Sequence, residues 1–411
     1  MDLHIGDNVT IAIEAVAFGG EGLGRVGRMV LFVPLTVEGD VAEAQVTEVR
    51  KRFARGRLVR LVTPSPHRVE PRCLYHGSCG GCSYQHIDYD HQLHLKKQQV
   101  KDIFERIGKL PAPPVSDVVP APLVYGYRGK ADFHVEMAPG RPPRIGFMDV
   151  EGARLVDIKL CEIVDDSINE RLGLLRGKAA DGTVPVSGGR FTIWSGALPE
   201  DAGVPSVGRV AVVERIVGKH SFKVPSDGFF QANMALVARL VKEVSRISDL
   251  RGQERVVDIY CGSGLFSLFL APAAAEIFGI ETNGDAIRCA RVNAERAGIN
   301  NARFIQGDAG KILKRRFAAS GNAVDILILD PPRTGCDVKT LSAVSQIGPR
   351  KLIYVSCNPA TQARDVRYLL DRGFTLQELM PIDMFPQTAH IEVIGTLLRE
   401  KEKGTGYFLR S

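Results

Sequence analysis

The chain has 411 residues, of which 45% are hydrophobic and 24% are charged, and its formal net charge is +6. This composition excludes a disordered or fibrous protein, because the apolar side chains suffice for two or three globular cores. The longest apolar run, residues 265 to 275, is too short to span a bilayer, and no secretory signal is evident. We therefore expect a cytoplasmic protein without a membrane partner, in which eight cysteines serve metal or catalytic roles rather than disulfides.

Residues 1–65 predict a small β-barrel. The runs VTIAIEAVAF, GRMVLFVP, GDVAEAQVTEVR and RGRLVRLV alternate apolar and polar residues, and glycine-containing turns separate them. The stretch resembles the OB-like, TRAM-type RNA-binding module, with a protein-docking barrel as the alternative. Residues 49–60 hold six basic residues and no acid, which we interpret as an RNA-binding patch rather than a solvated face.

A cysteine-rich stretch, CLYHGSCGGCSYQH at residues 73–86, follows the barrel. It spaces Cys73, Cys79 and Cys82 as C-x5-C-x2-C, and the two glycines let the backbone fold closely around a bound group. Cys161 is a fourth candidate ligand. Four cysteines hold either tetrahedral zinc or an iron–sulfur cluster; the spacing leaves both open, and the distant fourth ligand favours the cluster.

Residues 66–224 predict a β-rich central domain around these cysteines. Residues 90–108 have helical spacing and are interpreted as a helix behind the cysteine loop. Five prolines between residues 111 and 122 then indicate a stiff linker. Five strand-like runs complete the domain: KADFHVEM, PRIGFMD, RLVDIKLC, GRFTIWS and RVAVVERIVG.

Residues 225–411 alternate strands and helices, which predicts an α/β domain. The runs ERVVDIYCGSGL, AEIFGIET, NARFIQGD, VDILILDPP and KLIYVSCN are almost continuously apolar, as in a parallel sheet covered on both faces. The last two runs, TLQELMPIDMF and HIEVIGTLLR, have no long helix between them, so we expect an antiparallel end. This pattern is typical of class I, Rossmann-like methyltransferases.

Polar residues end the first three strands of this domain. VVDIYCGSG ends in a glycine turn, and the next two strands end in Glu281 and Asp308. These acids suit a ribose hydroxyl and a nucleobase, whereas the third glycine of a dinucleotide site and the lysine of a P-loop are missing. The pattern therefore indicates S-adenosylmethionine.

The fourth strand ends in DPPRTG, residues 330–335. In amino-methyltransferases an aromatic residue follows DPP and stacks on the target base, so Arg333 in that place favours carbon methylation. Carbon 5 of uracil attacks a sulfonium methyl group only after a thiolate has added to C6. The chemistry therefore requires one activated cysteine and one base.

Cys357 is the predicted nucleophile. It follows the apolar run LIYV and precedes Pro359, which predicts a strand-to-helix corner with Asn358 as the helix cap. The unpaired N–H groups of a helix start favour a thiolate over a thiol. Cys336, after the DPPRTG loop, is the rival nucleophile without such a corner.

Glu392 is the predicted general base, because it is an acid in the otherwise apolar run HIEVIG. An edge-strand glutamate facing water is the alternative. Gln231 and Asn233 in GFFQAN are expected to orient a ligand or the base, with helix capping as their alternative role.

Five ordered motifs, FFQAN, DIYCGSG, DPPRTG, SCNPATQARD and DMFPQTAHIEVI, together resemble the RNA (uracil-5-)-methyltransferase family. CLYHGSCGGCSYQH with Cys161 resembles its iron–sulfur branch, and the resemblance covers essentially the whole chain. It implies a [4Fe-4S] cluster on Cys73, Cys79, Cys82 and Cys161, Cys357 as nucleophile and Glu392 as base, with Gln231, Tyr260, Glu281, Asp308 and Asp330 around donor and target. Leu265 departs from the family, which commonly has asparagine there.

The resemblance implies a monomeric, S-adenosylmethionine-dependent enzyme that forms 5-methyluridine in RNA. The 23S ribosomal RNA is the expected substrate, and the T-loop uridine of transfer RNA is the alternative. Two further hypotheses are an amine methyltransferase acting through DPPR without a covalent adduct, and a non-catalytic iron–sulfur protein that binds RNA.

Overall fold

The computed structural model describes residues 3–138, 141–180, 189–196, 206–207, 210–319 and 323–400. These residues form four β-sheets and eight α-helices, numbered below in chain order. Among them, no helix has both the length and the apolar character needed to cross a membrane.

The N-terminal sheet contains the strands predicted for the barrel. They are β1 (Asn8–Ala12), β2 (Ala15–Val16), β3 (Glu21–Val26), β4 (Met29–Pro34), β5 (Val41–Val49) and β6 (Phe53–Thr63), in the order β1-β5-β6-β4-β3-β2. Side chains alternate between inside and outside, as the period of a strand requires, and Ala42, Ala44 and Val46 of β5 are buried.

The basic run at residues 49–60 is less cationic in the structure than in the sequence. Arg55 lies 3.2 Å from Glu21, and Arg60 lies 2.7 Å from Glu43, in both cases across the sheet. A third member of the run, Arg50, pairs with a glutamate two residues before it. Half of the six charges are thus matched by acids, so the run is not an uncompensated cationic patch.

Helix α1 (Tyr89–Arg106) contacts the cysteine loop, as predicted, because Gln92 and Gln99 donate hydrogen bonds to Tyr84, and its other side packs on the C-terminal domain. Val100 and Phe104 are fully buried in the same apolar core as the large C-terminal sheet, because they form an apolar stripe on one helix face. The proline-rich linker that follows forms isolated bridges along the edge of that sheet, where Val115 and Val119 pair with Leu379 and Ile382.

The central domain forms two small antiparallel sheets. The first, in the order β10-β7-β8-β9, contains β7 (Lys130–Glu136), β8 (Arg144–Met148), β9 (Leu155–Asp157) and β10 (Gly189–Trp194), with α2 (Asp166–Ala180) between β9 and β10. The second contains β11 (Ser206–Val207), β12 (Val210–Val217) and β13 (His220–Pro225). All five predicted runs contain strands, whereas α2 and β13 were not predicted.

The C-terminal domain is a seven-stranded sheet in the order β16-β15-β14-β17-β18-β20-β19. Its strands are β14 (Arg255–Ile259), β15 (Glu276–Glu281), β16 (Ala302–Gln306), β17 (Ile326–Leu329), β18 (Lys351–Ser356), β19 (Phe374–Ile382) and β20 (Glu392–Arg399). Its helices are α3 (Met234–Ser248), α4 (Leu265–Leu270), α5 (Gly284–Arg296), α6 (Ala309–Leu313), α7 (Val338–Ile347) and α8 (Pro359–Leu370).

The strand directions confirm the predicted antiparallel end. Strands β14 to β18 pair in parallel, whereas β20 runs antiparallel to both β18 and β19. The chain order reverses at β14 and β17, and ligands of open α/β sheets bind at the carboxyl ends of strands beside such a switch point. Five predicted site residues lie at or just after these strand ends: Tyr260, Glu281, Asp308, Asp330 and Cys357.

Candidate functional site

A cavity of about 880 Å³ lies between the central and the C-terminal domains. Six predicted donor-binding and catalytic residues line it: Gln231, Tyr260, Glu281, Asp330, Cys357 and Glu392. The four cysteines proposed as metal ligands, Cys73, Cys79, Cys82 and Cys161, line the same cavity. The structure therefore brings together ten residues that the sequence scatters over more than three hundred positions.

The glycine turn after β14 is built from left-handed backbone. Tyr260 has a φ of 67° and Gly264 a φ of 89°. Such a conformation in a tyrosine costs about 1 kcal/mol or more and is typical of functional sites. The Glu281 carboxylate accepts the N–H groups of Gly262 at 3.3 Å and Asn283 at 2.8 Å, which fixes the acid against the turn. The predicted ribose-binding acid thus has a rigid position at the cavity wall.

Asp308 is the one predicted donor-binding residue that does not line the cavity. Its side chain is exposed and accepts the N–H of Lys311 at 2.9 Å, so it caps α6. An aspartate before a helix satisfies one of the unpaired N–H groups of the first turn. The structure therefore gives Asp308 a helix-capping role, and its contact with a bound base stays a prediction.

Asn233 and Leu265, the other two residues discussed from the sequence, also lie outside the cavity lining. Asn233 precedes α3 and makes no side-chain cap hydrogen bond; its amide instead donates to the Met384 carbonyl at 3.2 Å. Leu265 begins α4 and is buried. Gln231, by contrast, is buried and lines the cavity, and its role in orienting a ligand or the base stays a prediction.

Cys357 lies at the strand-to-helix corner between β18 and α8, as predicted. Asn358 caps α8 by accepting the N–H of Ala360 at 3.1 Å, and Pro359 occupies the first turn. The ladder between β18 and β20 ends with the pair Ser356 and Val393. Beyond this pair, Cys357 follows β18 and Glu392 begins β20, and both residues line the cavity.

The pKa of Cys357 is shifted in the opposite direction to our expectation. Burial raises the pKa of the thiol from 9.0 to about 11, and the nearby carboxyl groups of Glu392 and Asp330 add to this rise. The Arg333 guanidinium opposes it by its charge and by a hydrogen bond. Burial and the two acids therefore raise the pKa of the thiol more than the Arg333 guanidinium lowers it.

Glu392 is buried, with only 3% of its surface exposed, so it is not an edge-strand glutamate facing water. Burial, followed by repulsion from Asp330, raises its pKa well above the usual value, and Arg333 lowers it. A carboxyl group with a raised pKa is a stronger base once it is ionised.

Arg333 is a site residue that sequence reasoning noted only as a departure from another family. Its carbonyl accepts hydrogen bonds from Asn358 Nδ2 at 3.0 Å and Thr361 Oγ1 at 3.2 Å, so the first turn of α8 anchors the DPPR loop. Its guanidinium lowers the pKa of both Cys357 and Glu392. Arg333 therefore partly neutralises the acids around the thiol.

Asp258 on β14 is a second residue that was missed. It is fully buried and accepts the N–H and hydroxyl of Ser267 at 3.1 and 2.6 Å. Burial is the main cause that raises the pKa of both Asp258 and Asp330, and Asp258 raises that of Asp330 further. An acid in the apolar run VVDIY was the available signal, the same signal that identified Glu392.

We predict that alkylation of Cys357 by iodoacetamide accelerates with pH. Because its pKa is about 11, the thiol is protonated at neutral pH, and the reactive thiolate fraction increases about tenfold per pH unit until the pH approaches that value. The Arg333→Met variant should react more slowly at a fixed pH because it lacks the cation that lowers this pKa. Mass spectrometry of the Cys357 peptide measures both rates, and a profile that levels off near pH 7 would contradict the prediction.

The four cysteines of the proposed metal site are free and half-buried. Burial raises the pKa of Cys82 to about 12 and of Cys161 to about 11, and each thiol is affected by other members of the group. A Cβ on Gly80 would lie 2.7 Å from the Asp149 carbonyl oxygen, so the loop needs a glycine there. The described part of the chain contains no group of three or more His, Cys, Asp or Glu side chains arranged to hold one metal ion.

Two family profiles match the chain. The profile described as tRNA (uracil-5-)-methyltransferase matches residues 209–401, and the TRAM domain profile matches residues 3–59. The chain is 34% identical to an uncharacterised RNA methyltransferase of Thermosynechococcus vestitus, over 95% of this chain and 98% of that protein. It is 31% identical to one of Halalkalibacterium halodurans, over 95% and 97% of the respective chains.

Among solved structures, the chain resembles Pyrococcus abyssi tRNA (uracil-54, C5)-methyltransferase in complex with S-adenosyl-L-homocysteine. The TM-score is 0.71 with 24% sequence identity, and the match covers 95% of this chain and all of the other. At this identity the match establishes a shared fold.

Proposed function

Because this chain belongs to the tRNA (uracil-5-)-methyltransferase family, and is therefore an RNA (uracil-C5)-methyltransferase, we propose that it forms 5-methyluridine through a covalent adduct on Cys357. One observation carries the proposal. Cys357 and Glu392 are the residues just beyond the last pair of the β18–β20 ladder, and they line one cavity together with Arg333. A nucleophile and a base are the groups that this chemistry requires, and the Arg333 cation lowers the pKa of both.

The proposed reaction proceeds in three steps. The Cys357 thiol loses its proton to solvent, and the thiolate forms a bond to C6 of the uracil, which places an electron pair at C5. Carbon 5 attacks the methyl group of the sulfonium donor, and the donor sulfur leaves with the bonding electrons as a neutral thioether. Glu392 then takes the proton from C5, the C5–C6 double bond re-forms, and the thiolate leaves. The net products are 5-methyluridine, S-adenosylhomocysteine and one proton.

The methyl donor of the family is S-adenosylmethionine, which supplies an electrophilic methyl group and a positive charge. We propose that Glu281 binds its ribose and that Tyr260, Asp330 and Gln231 contact donor or target base. The acids of the cavity suit a cationic donor. A cation beside them would lower the pKa of the Cys357 thiol towards the pH at which an enzyme works.

We further propose that the RNA substrate is 23S ribosomal RNA and that the enzyme acts as a monomer. The cysteine motif supports the ribosomal substrate, because it resembles the iron–sulfur branch of the family. Transfer RNA is the alternative, and the solved structure with the same fold is described as a tRNA (uracil-54, C5)-methyltransferase. In either RNA the target base must leave its stack so that thiolate and donor can reach it.

Covalent trapping tests the proposal. The protein and S-adenosylmethionine are mixed with ribosomal or transfer RNA in which 5-fluorouridine replaces uridine. Since fluorine cannot leave as a proton does, the enzyme–RNA adduct should accumulate on the Cys357 peptide. Sequencing of the trapped RNA identifies the substrate. If the protein binds the donor but traps neither RNA, addition to C6 is not its mechanism.

We also propose that Cys73, Cys79, Cys82 and Cys161 hold a [4Fe-4S] cluster. Four thiols that line one cavity form the donor set that such a cluster uses. The glycine at position 80 lets the cysteine loop pass close to the backbone of Asp149. Because methyl transfer requires no electrons, we assign the cluster a structural or RNA-positioning role.

Removing one ligand tests the cluster. The protein purified without oxygen should contain four iron and four sulfide ions and a broad visible absorbance, and Cys82→Ser should lose most of both. Cys289→Ser is the matched control, because Cys289 is buried within α5, away from the cavity lining. One zinc ion per chain, without sulfide, would instead identify a zinc site.

A further inference from the structure

The segment between β19 and β20, residues 383–391, forms a loop that supplies part of the cavity wall; we call it the base loop. Phe385, Thr388 and His390 of this loop line the cavity, and the residue after the loop is Glu392. Glu392 begins β20 and pairs with Ile382, the residue directly before the base loop, so both ends of the loop adjoin the pair that positions the proposed base.

Helix α1 holds the base loop through a buried ion pair. Lys96 and Asp383 are both fully buried, and Lys96 Nζ lies 2.5 Å from Asp383 Oδ1. The same ammonium donates to the carbonyl oxygen of Phe385 at 3.1 Å. Lys96 thus contacts the first residue of the base loop and a residue that lines the cavity.

Neighbouring groups hold the rest of the base loop. Gln387, whose φ of 67° is left-handed, exchanges two hydrogen bonds with the side chain of Gln92, one turn before Lys96 on α1. The Ala389 N–H donates to Ser83 Oγ at 2.9 Å, and Ser83 directly follows a proposed cluster ligand. The base loop is therefore fixed from α1 and from the cysteine loop at once.

A buried ion pair contributes little net stability. Moving both charges out of water costs several kcal/mol each, and exchange of such pairs for apolar residues is often neutral or stabilising. The directional contact from Lys96 to the Phe385 carbonyl, in contrast, is one that an apolar side chain cannot make. This combination favours a role in defining the geometry of the base loop.

We propose that Lys96 is a positioning residue of the methyl-transfer reaction. By pairing with Asp383 and donating to the Phe385 carbonyl, it holds the base loop so that Glu392 faces Cys357. The inference rests on the proposed covalent mechanism, in which Glu392 acts only after methyl transfer. Loss of Lys96 should therefore slow proton removal from C5 more than it slows formation of the adduct.

The test uses the double variant Lys96→Met/Asp383→Asn, which removes both charges and approximately keeps both volumes. The single variant Lys96→Met leaves Asp383 buried without its partner and is expected to lose stability. Lys97→Met is the matched control: Lys97 is the next residue on α1, and its pair with Asp117 is exposed. A surface pair of this kind contributes little to stability, because solvent screens its charges.

For the double variant we expect turnover to fall about tenfold to a hundredfold at an unchanged melting temperature. Trapping by 5-fluorouridine RNA should persist, and a methylated enzyme–RNA adduct should accumulate on ordinary RNA. Backbone hydrogen exchange in residues 383–391 should increase relative to wild type and Lys97→Met.

Two outcomes would overturn the inference: full turnover by the double variant, or a parallel loss of trapping and turnover that follows the unfolded fraction. If the double variant does not fold, Gln92→Leu provides the same comparison at the other contact of the base loop, where equal loss of both steps again counts against positioning. A wild-type protein that traps no RNA would instead disprove the proposed mechanism.

Discussion

Cys357→Ser should abolish RNA methylation, with a decrease in rate of about 10⁴-fold or more. A serine hydroxyl does not ionise near neutral pH, so it cannot add to C6 as a thiolate does. The substitution changes one atom at a half-buried position, and the fold and the donor-binding turn should remain intact. Transfer of a labelled methyl group from S-adenosylmethionine to RNA measures the loss.

Cys336→Ser is the control, because Cys336 was the rival nucleophile in the sequence. The structure buries it, its N–H donates to Asp365 at 2.8 Å, and its side chain does not line the cavity. We expect this variant to retain activity within about threefold while Cys357→Ser binds the donor as wild type does. If Cys336→Ser were inactive and Cys357→Ser active, Cys336 would be the nucleophile.

The C-terminal domain was predictable because its strands are nearly continuous apolar runs. A parallel sheet buries both faces of each strand, so every strand of this domain was visible in the sequence. The apolar run around Glu392 also identified that residue. An acid within such a run is either a buried functional group or a solvent-facing residue of an edge strand. Asp258 carries the same signal, and it is buried with its carboxylate hydrogen-bonded to Ser267.

The pKa of Cys357 was not predictable from its own neighbourhood in the sequence. The helix start that favours a thiolate is local, whereas Asp330 and Glu392 come from residues 27 positions before and 35 positions after the cysteine. The basic run at residues 49–60 failed for a related reason. Two of its three opposing acids, Glu21 and Glu43, lie on other strands of the sheet, and a charge count limited to residues 49–60 cannot include them.

The position of α1 and the role of Asp308 show a further limit of sequence patterns. Helical spacing in α1 correctly predicted an amphipathic helix, but an apolar stripe does not specify which core it joins. Asp308 ends a strand in a place that suits a base contact and also precedes a helix. The structure shows the capping role, since the Asp308 carboxylate accepts the N–H of Lys311 at 2.9 Å, and the base contact stays a prediction.

Glu392→Gln should leave the first two steps intact and block the last. The amide has the same shape as the carboxyl group but cannot accept the C5 proton, so turnover should fall about 10²- to 10⁴-fold. Since the Glu392 carboxyl raises the pKa of Cys357, its removal should also make the thiolate easier to form. The expected product is a methylated covalent adduct on ordinary RNA, detected as a denaturation-resistant complex that carries one labelled methyl group.

Glu378→Gln on β19 is the matched control, because it changes the charge equally at a residue outside the cavity lining. It should turn over as wild type does and accumulate no adduct. The outcome for Glu392→Gln distinguishes three mechanisms. An adduct with a methyl group places Glu392 at proton removal, and an adduct without one places it before methyl transfer. Normal turnover would mean that another group is the base, and Asp330 is then the next carboxylate to test because it lines the same cavity.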